Sequence, residues 1–189
     1  MEIPSERRRL FYALIPDDRV QDDIVRACER LKASQHPKGK WIPVDRLHLT
    51  LVFLGDFPAL ATDVLVHALA AGDEVDAPGF ELTLDSATSF PGRHPPWVLR
   101  CNRSRDSVLP FWRALGSALA AAGFRTPPEN DFVPHVTVLR DADKALEPMD
   151  IKPIPWPVRD FALMHSRLGQ QREYVTLRRW ALTEIAAGG

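Results

Sequence analysis

Only two cysteines occur in 189 residues, Cys28 and Cys101, and neither has the neighbour spacing of a redox C-x-x-C pair or a zinc site. A chain that is 45% apolar can bury its own core, so free thiols in a reducing cytosol are expected and a disulfide framework is excluded. No uninterrupted apolar run approaches the ~20 residues that cross a bilayer, which points to a soluble cytoplasmic protein without a membrane partner. The opening MEIPSERRRLFYALIPDD places arginines before a short apolar run. Pro16 and two acids follow at once where a cleavage site would need small residues, so this stretch does not read as a secretion signal. An excess of one charge is lacking too: 24 Lys and Arg stand against 25 Asp and Glu. That excludes a strongly basic nucleic-acid coat protein, although not a local patch. Three arginine clusters (Arg7, Arg8 and Arg9; Arg100, Arg103 and Arg105; Arg172, Arg178 and Arg179) read individually as solvated faces.

The common catalytic signatures are also missing. There is no H-E-x-x-H and no cluster of acids with metal-ligand spacing, so neither a metal nor any other cofactor is expected. No G-x-S-x-G elbow and no G-x-x-x-x-G-K-[ST] loop occurs, which removes serine hydrolases and nucleoside-triphosphatases of the usual kinds.

What remains is a chain whose hydrophobic period changes repeatedly. RLFYALIP alternates as a first strand, and Asp17 and Asp18 after Pro16 offer a cap for a helix striped by Val20, Ile24, Cys28 and Leu31. The loop SQHPKGK closes that helix; LHLTLVFL reads as a second strand, stopped by Gly55. A second helix is expected from Pro58 through Leu60, Val64 and Leu69 to Gly72. FELTLDSATSF and PPWVLRCN form a strand pair around PGRHPP, and a third helix runs from Ser107 to its stop at Gly123. After PHVTVLR comes a proline-rich connector, EPMDIKPIPWPV, and then two strands, roughly Asp160 to Arg167 and Glu173 to Ile185. The order is α+β, and the second half lacks the regular βαβ spacing of a doubly wound sheet.

Two of these strands share a grammar. RLHLTLVFLGD carries His48 and Thr50, and FVPHVTVLRD carries His135 and Thr137, each pair separated by one apolar residue. With six His and eight Thr in the chain, two such copies with apolar residues at both intervening positions have a chance expectation of about one in a thousand. Successive strand side chains point to opposite faces, so His and Thr are presented together while Leu49, Leu51, Phe53, Val136 and Val138 face a core. The weak repeat suggests two related lobes facing one another. Imidazole titrates near neutrality, so one ring can accept a proton while the other donates one. Two hydroxyl donors between them suit a tetrahedral anion, and hydrolysis of a cyclic phosphodiester needs this set of groups. The motifs are too alike for spacing to say which histidine is acid and which is base. Of the other histidines, His36, His67 and His165 read as surface or structural, and His94 stays open because it lies in the GRHPP turn.

These residues resemble the two-histidine phosphoesterases, and within them the RNA 2′,3′-cyclic phosphodiesterases once studied as 2′-5′ RNA ligases. RLFYALIPDD, LHLTLVFLGD, PGFELTLDSA, PHVTVLRDA and YVTLRRWAL carry the likeness over nearly the whole chain. The resemblance implies one bilobal domain over residues 1–189, with two antiparallel sheets facing across a central cleft and helices outside. It implies metal-independent hydrolysis of an RNA 2′,3′-cyclic phosphate end to a 2′-phosphomonoester, with reversible 2′-5′ ligation open to the same chemistry. His48 would be the proton donor, His135 the proton acceptor, and Thr50 and Thr137 would hold phosphate oxygens. Arg140, Tyr174 and Phe11 are further substrate-binding candidates, the first for phosphate and the others for base stacking, with Trp41 beside them. A monomer acting on RNA ends is expected. The same chemistry on small cyclic nucleotides or 2′-5′ oligoadenylates is the nearest alternative, and an RNA-binding module without catalysis is the other.

Overall fold

In a computed structural model, residues 8–57, 62–167 and 174–184 are described. Arg7, Arg172, Glu173 and Ile185, and the expected helix start at Pro58 and Leu60, lie outside them. Strand β1 (Arg8–Leu14) leads into helix α1 (Asp18–Gln35), whose first turn is capped by Asp17 accepting from the Val20 N–H at 2.9 Å. There follow β2 (Lys40–Trp41), β3 (Leu49–Phe57), α2 (Thr62–Asp73), β4 (Phe80–Ser89), β5 (Trp97–Arg100) and α3 (Arg105–Ala121). The chain closes with β6 (His135–Arg140), β7 (Met149–Val158), β8 (Asp160–Arg167) and β9 (Tyr174–Ala181). Every ladder between these strands is antiparallel, in the order β7-β4-β5-β6-β3-β1-β8-β9, with β2 paired to β6.

Two leaves make up this order. β7, β4, β5 and β6 pair closely, as do β3, β1, β8 and β9, yet between β6 and β3 only Leu49 and Val136 are registered partners. The sheets are thus two leaves meeting along one short joint. Helix α1 packs against β7, α2 against β8 and β9, and α3 against β4 and α2, closing a core of Leu10, Tyr12, Ile24, Leu84, Leu99, Leu115 and Phe161, among others. Each such side chain contributes about 1.5–3 kcal/mol on burial. The α2–β9 contact is close enough that a Cβ at Gly72 would overlap the Trp180 indole, whose N–H donates to Asp73 at 2.8 Å.

Three expectations need correction. The proline-rich segment is a strand, β7, because it lies at a sheet edge. Pro153, Pro155 and Pro157 alternate with buried Ile154, Trp156 and Val158, so their missing N–H groups all fall on the open side. The Pro155 carbonyl faces that way too, accepting from Arg19 at 3.2 Å. Gly55 bends β3 rather than ending it: at φ 146° it pairs with Leu10, and the strand continues to Phe57. Phe53 does not face the core; it is 48% exposed, for a reason that lies in the bulges described next.

Candidate active site

Both H-x-T segments enter the joint by the same route. A proline precedes a short 3₁₀ turn, Val44–Arg46 in one case and Glu129–Asp131 in the other, and an apolar residue (Leu47 or Phe132) then anchors the exit. Thereafter Leu49 pairs with Val136, both fully buried, and the residues flanking them point to the opposite face. Antiparallel register sets His48 against Thr137 and Thr50 against His135, a square with the histidines on one diagonal. In a regular ladder that diagonal spans about 7–8 Å, somewhat less between Cβ atoms, which leaves room for a phosphate between the longer imidazoles. All four side chains are half-buried.

Immediately after each threonine the ladder carries one extra residue. Thr50 pairs with Ala13 and Val52 with Tyr12, leaving Leu51 over; Thr137 pairs with Val98 and Leu139 with Trp97, leaving Val138 over. A bulge of this kind reverses the in–out alternation beyond it. Phe53 and Arg140, each three residues past its threonine, are thereby turned onto the histidine face, where simple alternation would have buried them. Both bulges are secured. The Leu51 carbonyl accepts from the Trp112 indole N–H at 3.0 Å and the Val138 carbonyl from the Ile42 N–H at 2.9 Å. Trp112 also stacks on Phe132 at 5.0 Å, so one side chain of α3 braces the approach to both motifs.

Each imidazole is oriented by its own backbone. His48 Nδ1 lies 2.8 Å from the Arg46 carbonyl and His135 Nδ1 2.6 Å from the Val133 carbonyl. A carbonyl oxygen only accepts, so Nδ1 carries hydrogen on both rings and Nε2 is left to exchange protons. Burial lowers the pKa of both below the ordinary histidine value, opposed by those carbonyl contacts; the positive charge of Arg140 and of His135 lowers His48 further, and that of Arg100 lowers His135. The Cys101 thiol lies against the Pro134 carbonyl, next to His135, but burial pushes it up to about 11, which makes it a poor nucleophile.

Aromatic and cationic side chains surround the square. One cavity of about 440 Å³ is lined by Trp41, Arg46, His48, Thr137, Arg140 and Tyr174, and one of about 300 Å³ by Arg9, Phe11, His48, Thr50, Phe53 and Arg140. Arg140 donates to the Tyr174 hydroxyl at 3.3 Å, and the Tyr174 and Phe11 rings lie 5.2 and 5.3 Å from that of His48. Of the site residues expected from the sequence, all but His135 line one or both of these cavities, Trp41 included, and His135 adjoins them through its place opposite Thr50 in the strand register. Phe11, only 3% exposed, forms part of the floor with Ala13, Ala162 and Met164. His94 is exposed on its turn, and Asp141, on the wall of the larger cavity, pairs with Lys40 at 3.0 Å. His36 caps α1 in a left-handed conformation, His67 is exposed on α2 and His165 is buried in β8.

Sequence reading missed Arg9, Arg46, Phe53, Phe90 and Arg100. Arg9 bonds Asp56 at 3.0 Å and lies over the Phe53 ring at 5.1 Å. Phe90 meets the His135 ring edge-on at 4.7 Å, and Arg100 is the cross-strand partner of His135. Arginines 100, 103 and 105 are accordingly not one solvated face. Arg105 holds the Glu129 and Phe132 carbonyls at 3.1 and 3.3 Å, and Arg103 pairs with Asp85. A period-2 reading corrected for a bulge would have found Phe53; nothing in the local pattern marks the others. Among the described residues no cluster of three His, Cys, Asp or Glu could hold a metal ion.

The model of the 2′-5′ RNA ligase superfamily matches residues 16–170. The chain belongs to that superfamily. An RNA 2′,3′-cyclic phosphodiesterase of Escherichia coli (strain K12) is 33% identical over 191 residues, 95% of this chain and 99% of that protein. A protein of the same name from Thermus thermophilus is 30% identical over 92% of this chain and 90% of its own length. The crystal structure of E. coli LigT in apo form superposes with a TM-score of 0.72 at 32% identity, covering 95% of this chain and 99% of that one. The superfamily's α+β fold, an extended antiparallel sheet flanked by three helices, is thus the fold of this chain. No helix among the described residues is long and apolar enough to cross a membrane.

Proposed function

We propose that this protein is an RNA 2′,3′-cyclic phosphodiesterase that opens the cyclic end to a 2′-phosphomonoester without a metal ion. The observation that carries the reading is the register at Leu49 and Val136, which puts two imidazoles with free Nε2 atoms and two threonine hydroxyls on one face. His135 takes a proton from water as the water oxygen bonds to phosphorus. The P–O3′ bond breaks, and His48 delivers its proton to the departing 3′ oxygen. Thr50 and Thr137 donate to the non-bridging oxygens as charge builds on them. The two rings end with their protonation exchanged and re-equilibrate through solvent. A 5′-hydroxyl in place of water makes the same sequence a 2′-5′ ligation. Arg140 supplies positive charge to the phosphate, while Tyr174, with Trp41, offers a ring to the terminal base. Phe11, nearly fully buried, supports Tyr174 and His48 from below and does not itself stack on the base.

The relatives' name supports this substrate. Two buried free thiols suit a cytoplasmic site of action, and the protein is taken to act as a monomer. Incubation of a 2′,3′-cyclic-phosphate oligonucleotide in EDTA is expected to give a 2′-phosphate product. Loss of either imidazole, His48→Ala or His135→Ala, should reduce kcat by about 10²–10⁴. A strictly 3′-phosphate product would overturn the proposed bond cleavage; RNA binding that survives both substitutions in a protein without turnover would favour a binding module.

A further inference from the structure

The chemistry proposed above leaves Arg100 without a task. It closes β5 directly opposite His135, so Thr50, His135, Arg100 and Ser86 follow one another across the sheet face from β3 to β4. Its Nε is buried and has no hydrogen-bond acceptor. The carboxylates of the adjoining strands are engaged elsewhere: Asp85 and Asp150 lie 3.9 and 4.0 Å from Arg103. Among the described residues no carboxylate pairs with Arg100. A guanidinium held part-buried with an open Nε donor is costly until an acceptor completes it, and an anion is the acceptor that also meets its charge.

The pairing beside His48 sharpens the point. Leu14 pairs with Leu49 as Leu99 pairs with Val136, so the residue that flanks His48 as Arg100 flanks His135 is Ile15. At that strand-neighbour position the His48 side thus has an apolar residue and the His135 side a cation, Arg100, together with the half-buried ring of Phe90. The cation that acts on His48 is Arg140, which comes from β6 and is assigned above to the reacting phosphate. A forked cation next to an aromatic ring is the combination that grips a single RNA strand through phosphate and base.

We propose that Arg100 is a specificity residue that binds a second phosphate of the RNA strand, distinct from the cyclic phosphate, with Phe90 stacking on the adjoining base. The proposal rests on reading the cleft as an RNA cyclic-phosphate site, and it makes the substrate an oligonucleotide, because a cyclic mononucleotide has no second phosphate to offer.

The test compares kcat/KM for a cyclic-phosphate-ended trinucleotide and a 2′,3′-cyclic mononucleotide in wild type, Arg100→Gln and Arg100→Lys. Taking the ratio of the two substrates within each protein cancels any loss of folded enzyme. Wild type should prefer the trinucleotide. Arg100→Gln should shrink that preference at least about tenfold, the scale of one charge-assisted contact, and Arg100→Lys should keep part of it. The salt dependence of kcat/KM for the trinucleotide should flatten in Arg100→Gln by about 0.7 in log–log slope, one phosphate's worth. Equal losses on both substrates would place Arg100 on the reacting phosphate or on His135 and overturn the proposal, as would a wild type without the preference. A wild type that hydrolyses neither substrate would instead remove the reading of the cleft on which the proposal rests.

Discussion

At the scale of single residues, the two histidines are alike in orientation and unlike in company. Each is fixed through Nδ1 by the carbonyl two residues before it, and each holds a proton less readily than a free imidazole because burial disfavours the charged ring. kcat/KM reports the free enzyme, so its pH profile should be a bell centred on the acidic side of about 6.5. A bell centred above neutrality would contradict the pKa directions. Arg140 adds to the lowering at His48, so Arg140→Gln should let His48 keep its proton to higher pH and move the limb it governs upward, whatever the change in maximal rate; Arg140→Lys should not. The same shifts carry a stability sign. Folded pKa values below the unfolded one mean that the unfolded chain binds more protons as pH falls through about 6.5, so these rings weaken the fold towards acid.

At the scale of elements, the bulge after each threonine decides which further side chains join the site. Alternation along a strand made His48, Thr50, His135 and Thr137 legible without a structure, because two residues are too few to cross a bulge. Beyond Leu51 and Val138 the same rule assigns Phe53 and Arg140 to the wrong face, since an extra residue shifts the phase by one. Arg140 was singled out by its chemistry and its place at the strand end, not by phase. Trp112 tests how much the bulges matter. Trp112→Phe keeps a ring beside Phe132 but strips the donor from the Leu51 carbonyl, and a buried acceptor left unpaired costs about 1–3 kcal/mol. Urea unfolding should show a loss of that size, accompanied by a lower kcat/KM on the cyclic phosphate as Thr50 and Phe53 lose their fixed bearing. Unchanged stability and rate together would mean that the bulge needs no such brace. The helices were legible from their stripes, whereas β7 was not, because the prolines that deny a segment a central strand are the ones an edge strand tolerates.

For the whole molecule, a formal net charge of −1 coexists with a cleft that gathers Arg9, Arg46, Arg100 and Arg140. Attraction for RNA is therefore local, from two or three contacts at about 0.7 in log–log slope each for a single strand. Raising salt from 50 to 200 mM should lower kcat/KM on a cyclic-ended oligonucleotide by about tenfold; a salt-independent value would argue against phosphate contacts outside the reacting group. The amino-acid order by itself determined the α+β class, the helices and the duplicated His–Thr pairs, because periodicity and cap chemistry act within a few residues of one another. It could not determine that the two leaves touch in register at one pair, Leu49 and Val136, nor that Arg100 and Phe90 stand beside His135 while Ile15 stands beside His48. Those neighbours are set by how β5 and β1 pair, a choice made by packing between segments tens of residues apart, and no local pattern encodes it.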